Sequence, residues 1–246
     1  NTLNSTLTHQ SGSGSGISAV SAGQTINYLS TLSTNVNNSY TNRLNFNTQG
    51  TTTTGTPISM TGVSSNDISA HTYTATRTAT FASADQARYL FNCGGQLNFV
   101  CGTATNNNST SRSGDLVTLV NTNFISYPAF RQGSSGGRTG TGGTVNTNAT
   151  TIGYYQLTTL NQTLCKITST TAAYTGDYIQ LEVKSNGVQG SNADVGTVVT
   201  FTLTLYSGAQ SPAFDDSIDV TVPHRIDIVY PETTNLSNSW GTVSIT

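Results

Sequence analysis

Charge is what this sequence has least of. Its 246 residues carry nine Lys and Arg against eleven Asp and Glu, 8% of the chain, where an ordinary soluble domain has about 25%. Nine scattered cations make no basic stripe, so no nucleic-acid partner is expected. Apolar residues are also few, at 34%. No run reaches the roughly 18 apolar residues that a membrane-spanning helix needs, so no membrane insertion is expected. No basic segment followed by an apolar one opens the sequence, and no secretory leader is expected in it. The three cysteines, Cys93, Cys101 and Cys165, include no CxxC pair beside histidines, which argues against a zinc site. His9, His71 and His224 lie far apart, and no Ser sits in a G-x-S-x-G setting. Glutamate occurs only at Glu182 and Glu232, a poor supply for the two carboxylates that flank a glycosidic bond during hydrolysis. No repeat of fixed period is present, which excludes a β-helix. The expectation is a protein that is not an enzyme and holds no cofactor.

What remains is abundant hydroxyl and amide. Thr 46, Ser 29, Asn 24 and Gly 24 make up half the chain. Disordered chains combine low hydrophobicity with high net charge and few β-branched residues. Here the formal net charge is −2 and Thr, Val and Ile recur in regular patterns. These features point to a folded, β-rich chain with a neutral polar surface.

The chain divides near residue 48. Ser11–Gly16 is a flexible SGSGSG linker. After it, Ile26, Leu29, Val36 and Tyr40 fall at helical spacing on an otherwise Ser/Thr/Asn-rich stretch. Such a helix is weak by propensity and needs a partner surface. Packing on its own β domain and packing against symmetry mates both fit. Residues 1–48 are therefore expected to form a linker and an oligomerisation or docking helix, and residues 49–246 a β-rich domain.

Within that domain Tyr73, Ala75, Arg77, Ala79 and Phe81 alternate with Thr72, Thr74, Thr76, Thr78 and Thr80. This period of two predicts a strand with one wet face. Ser83 with Gln86 three residues on is a capping-box pattern. It opens a short helix over Ala84–Asn92 with Ala87, Leu90 and Phe91 inward. Gly94 and Gly95 supply the left-handed stop and the turn into a strand over Gln96–Cys101. A second short helix is expected from Gly114 to about Asn121. Gln132–Asn148, dense in glycine, reads as a long mobile loop. Strands are expected over Ile152–Thr158, Thr163–Thr170, Asp177–Lys184, Val195–Tyr206, Ile218–Val229 and Trp240–Ile245. Pro223 inside one of them suggests an edge strand or bulge. The fold expected is mainly β, an antiparallel sandwich-like domain with two short helices, preceded by a helical N-terminal arm.

Few constellations invite chemistry. Asp215, Asp216 and Asp219 cluster before a strand and are the one candidate for a weak Ca²⁺ site, against a plain solvated turn. A Cys93–Cys101 disulfide and three buried thiols both fit the cysteine spacing. Tyr127, Tyr154 and Tyr155 suit either a sugar-stacking surface or packing in the fold.

Three stretches carry a resemblance. Ala79–Phe99 contains ARYLFNCGG, Ala173–Ile179 reads AYTGDYI, and the C-terminal part runs HRIDIVYPETTNL from His224 and WGT from Trp240. Together, over roughly residues 70–246, they resemble structural proteins of tailed-bacteriophage virions. Cys93 departs from that pattern, which carries a small residue such as Ala or Ser there. The resemblance implies a structural virion component, associated with the tail as fibre, baseplate or collar and contributing to host attachment. It implies symmetric homo-oligomers, contacts with other virion proteins and a host surface glycan or receptor as further partner. The alternatives are a capsid decoration or head-fibre protein, or a secreted bacterial adhesin or carbohydrate-binding module. No catalytic residues come with the resemblance.

Overall fold

A computed structural model of the chain describes residues 33–34, 49–188, 195–212, 215–233 and 240–246. The expected docking residues Ile26, Leu29, Val36 and Tyr40 lie outside the described residues. The described residues are mainly β, two six-stranded antiparallel sheets with two short helices.

The first sheet is organised around one long strand, β11 (Ile218–Pro231). On one side of β11 lie β1 (Gln49–Thr53) and β2 (Ile58–Ser64), end to end. On the other lie β4 (Gln96–Cys101) and β5 (Thr105–Asn106), with β6 (Ser126–Phe130) beyond β4. The second sheet runs β12 (Ser244–Ile245), β3 (His71–Thr80), β10 (Val198–Ser207), β9 (Tyr178–Ser185), β8 (Gln162–Thr168) and β7 (Thr144–Asn148). The inward residues of both sheets form one core. Phe201 of β10 meets Phe99 of β4 at 5.9 Å and Phe130 of β6 at 5.5 Å between ring centroids. Tyr73, Ala75, Arg77 and Ala79 point inward from β3, as the alternation predicts, while its threonines face outward. A strand buried on one face only has this pattern.

Helix α1 (Ala84–Asn92) follows its sequence signals closely. Ser83 Oγ accepts from the Gln86 backbone N–H, and Ala87, Leu90 and Phe91 are buried. The Gln86 side chain does not return to complete the box. It lies against Gly241, whose φ of +63° lets the chain pass over it. The helix ends in a Schellman motif: Gly95 N–H donates to Leu90 O and Gly94 N–H to Phe91 O. Gly94 has φ +93°, the left-handed conformation that glycine adopts without strain. Gly95 is required for a different reason. A Cβ there would stand 2.6 Å from Leu90 Cγ and 2.7 Å from Leu90 O.

Several sequence expectations change, among them the last strand, which is Ser244–Ile245 rather than Trp240–Ile245. The second helix, α2 (Ser111–Thr118), begins three residues before Gly114, because Thr110 Oγ caps it by accepting from Ser113 N–H. It continues as a π-helical turn over Leu119–Asn123. Residues 132–148 are not an open loop. Arg138 ties the segment together by donating to the carbonyls of Asn123 and Gly140, and Thr144–Asn148 forms β7. Residues Ile152–Thr158 are not a strand. Tyr154–Gln156 is a 3-10 turn that drives the Tyr154 ring onto Phe91, 4.5 Å away and nearly parallel. Pro223 sits in the central strand rather than at an edge. Its carbonyl accepts from Gly102 N–H, and in an antiparallel strand a residue's N–H and C=O point the same way. The missing N–H therefore faces the gap where β4 ends at Cys101 and β5 has not begun at Thr105.

Candidate functional site

The most concentrated chemistry in the molecule lies at one end of the sandwich. There the β2–β3 and β8–β9 connections, the end of β10, the start of β11 and helix α2 converge on Arg112. Placed in the first turn of α2, this side chain is fully buried. Its Nη2 donates to Asp177 Oδ1 at 2.5 Å, to Ser207 Oγ at 2.8 Å and to Gly208 O. Nε also donates to Ser207 Oγ. Nη1 stands 3.6 Å from Asp67 Oδ2, and the guanidinium lies 4.7 Å from the centre of the Tyr174 ring. The planar fork of arginine suits this multiple engagement, which lysine cannot reproduce.

Carboxylates surround it. Asp67 and Asp177 are fully buried and Asp115 is 7% exposed. Asp115 Oδ1 accepts from Ser169 Oγ, and Gly208 N–H donates to Asp177 Oδ1. Burial pushes the Asp177 carboxyl up to about 7, against the pull of Arg112 and of the Gly208 N–H; the nearby Asp115 carboxyl, within hydrogen-bonding reach, raises it further. The hub is buried and charged. Its evident effect is mechanical, since one cation fastens segments of both sheets.

The candidate metal residues do not form a cation site. Asp215 is exposed. Asp216 Oδ2 accepts from the Arg112 backbone N–H and from Tyr174 Oη, and Asp219 Oδ1 accepts from Asn107 Nδ2. Asp216 and Asp219 are thus committed to different partners. Among the described residues no group of three His, Cys, Asp or Glu side chains could hold a metal ion.

Cys93, Cys101 and Cys165 are free thiols. Cys93 caps α1 and Cys101 ends β4, a strand whose six residues span about 17 Å at ~3.3 Å each. The two lie at the ends of different elements and form no bridge. Burial pushes the Cys101 and Cys165 thiols up to about 12. The tyrosines give no sugar platform: Tyr127 and Tyr154 are fully buried.

One pair imitates a catalytic dyad. Ser64 Oγ lies 3.0 Å from His71 Nε2. It also lies 2.6 Å from the carbonyl of Asn66, which can only accept. The hydroxyl proton is committed there, so His71 donates to Ser64 and does not activate it. Among the described residues, clefts open elsewhere, two of them beside polar side chains. One of about 420 Å³ lies between β1 and the end of β11, beside Tyr230, Glu232 and Trp240. The other, about 390 Å³, lies beside Cys101, Asn121 and Ile125. Neither brings together two carboxylates or a nucleophile and a base.

His224 is a buried residue that sequence reasoning left without a role. Its ring stacks on Phe99, Nδ1 donates to Val222 O, and Nε2 has no partner. Burial holds its basicity below the ordinary histidine range. Its inward register on β11 was the signal available. In comparisons with known proteins no family model matches the chain, and no curated protein or solved structure does either.

Proposed function

We propose that the chain is a structural component of a tailed-bacteriophage virion, associated with the tail, assembled as a symmetric homo-oligomer and without enzymatic activity. The observation that carries the reading is the ARYLFNCGG stretch. It folds as a capped helix, a left-handed glycine and a core strand in unbroken succession, the order that the resemblance requires. The surface supports it further. Outward threonine rows and few charges limit like-charge repulsion between copies held side by side. A paired sheet ladder fastened by a buried ionic hub resists local opening.

Immunogold electron microscopy on purified particles, with antibodies raised against the whole chain, tests this. Label at the tail is expected. Label confined to the head would move the assignment to a decoration or head-fibre protein, and particles free of the chain would overturn the virion role.

A further inference from the structure

We propose that the open edge of β3, along Thr72–Thr76, is the surface through which this chain associates with itself. A second copy adds its own β3 there, antiparallel, about a two-fold axis at Thr74. The inference rests on the homo-oligomer of the reading above and names the surface that forms it.

The ladder shows which groups are free. Thr78 N–H donates to Thr246 O, and Thr246 N–H donates to Thr78 O. In an antiparallel strand the N–H and C=O of one residue point to the same side, and alternate residues share that side. The backbone groups of Thr72, Thr74 and Thr76 therefore point the way those of Thr78 do, away from β10. β12 and Thr246 cover that side at Thr78–Thr80. At Thr72, Thr74 and Thr76 these groups have no partner among the described residues. Exposure agrees, since Thr78 and Thr80 are half-buried whereas Thr72, Thr74 and Thr76 are exposed.

The usual protections of an edge are missing. Charges, prolines and bulges normally blunt it. β3 contains no proline, Lys, Asp or Glu, and it pairs with β10 without a register shift. Arg77 turns inward, where it is buried and donates to Thr56 O. β7, the opposite edge of the same sheet, carries a bulge between Val145 and Thr147. Head-to-tail addition of β3 onto β7 would meet that broken ladder, which favours the closed two-fold pairing. β2 packs over β3, with Gly62 against the Tyr73 ring, and leaves Val63 65% exposed on the same flank.

One register uses every free group. With Thr74 opposite Thr74, Thr72 faces Thr76 of the second copy, and each such pair exchanges both backbone hydrogen bonds. The place opposite Thr78, held by Thr246, would fall to Ala70 of the second copy, which precedes its β3. The incoming strand thus begins beside Thr246 without displacing it. Threonines opposed across strands hydrogen-bond to each other. One pair at this edge already does so, with Thr78 Oγ1 and Thr246 Oγ1 2.6 Å apart. On the inner face the half-buried Tyr73 and Ala75 come opposite each other and lose exposure.

Sedimentation velocity of the 246-residue chain over a range of concentrations tests this. The wild type should form dimers or their multiples. Thr74→Pro and Thr74→Lys should abolish the dimer with unchanged circular dichroism, because both the side chain and the N–H face solvent in a single copy. Crosslinking decides even if proline disrupts the fold. In a Cys93→Ser background, Thr74→Cys should give a disulfide-linked dimer on mild oxidation, since such opposed residues stand about 5.5 Å apart at Cα. Thr80→Cys, beside β12, should not. An oligomer that survives Thr74→Pro and yields no Thr74→Cys crosslink overturns the proposal and leaves the homo-oligomer to another surface. A chain that stays monomeric at every concentration overturns both, and particle labelling then judges the virion role by itself.

Discussion

Arg112 Nη2 lies 2.5 Å from Asp177 Oδ1, with both side chains fully buried. The contact joins the first turn of α2 to the entrance of β9, and through Ser207 and Gly208 it reaches the end of β10. Removing one partner from a buried pair leaves an uncompensated charge, which costs about 3–5 kcal/mol. Arg112→Leu should lose that much in urea unfolding. Arg112→Lys should fall between it and the wild type, because a point charge cannot serve Asp177, Ser207 and Gly208 together. Equal stability of the Lys variant and the wild type would show that the forked geometry is dispensable.

The stop of α1 gives two different mutational signatures. At Gly94 the strain is conformational, so Ala and Val should each cost about 1–3 kcal/mol at φ +93°. At Gly95 the conflict is with Leu90. A Gly95→Ala, Leu90→Ala double variant should be less destabilised than the sum of its singles, whereas Gly94→Ala and Leu90→Ala should add. Thermal melts of these six variants and the wild type check this.

His224 makes the fold sensitive to acid. Burial lowers its folded basicity, so the unfolded chain takes up a proton first as pH falls below about 6.5. The stabilising contribution is present above that value and is lost progressively as pH falls through the folded one. His224→Leu removes both the titration and the unpartnered Nε2. The difference between its urea midpoint and that of the wild type should shift in the variant's favour as pH falls from about 7 to about 5. Parallel pH profiles would dismiss His224 as the acid-sensitive group.

Thiol chemistry separates the three cysteines. Cys93 is half-buried, while Cys101 and Cys165 are buried with thiols pushed up to about 12. The thiolate is the reacting species. Iodoacetamide on the native protein should therefore modify Cys93 first and the other two only after denaturation. Modification of Cys101 at the rate of Cys93 would mean that the β4 end opens readily.

Much of this fold was legible because it is local. The alternation of Tyr73–Phe81, the Ser83 cap and the Gly94 stop each act within a few residues, and the structure places those elements where the pattern put them. The Arg112 hub was not legible, because its partners are 65 and 95 positions away in sequence at Asp177 and Ser207. Nothing periodic marks such a cluster. The signal on offer was weaker: a chain poor in charge that buries Asp67, Asp115 and Asp177. Pro223 misled for a related reason. Its tolerance in a central strand depends on where β4 and β5 break, a property of neighbours rather than of β11 itself.

The last prediction concerns the final strand. Ser244 and Ile245 pair with Thr80 and Ala79 of the same chain, and the backbone of Thr246 exchanges hydrogen bonds with Thr78. Trp240 and Val243 are buried in the common core. Loss of a core Trp typically costs about 3–5 kcal/mol, and deletion also leaves the β3 ladder open, an edge prone to association. A chain lacking residues 240–246 should therefore be destabilised by at least that amount when measured dilute, where no oligomer contributes. Pairing within the protomer predicts the same loss at every concentration. If the truncated chain kept its wild-type melting temperature when dilute and failed only to assemble, the strand would instead work as an element exchanged between subunits.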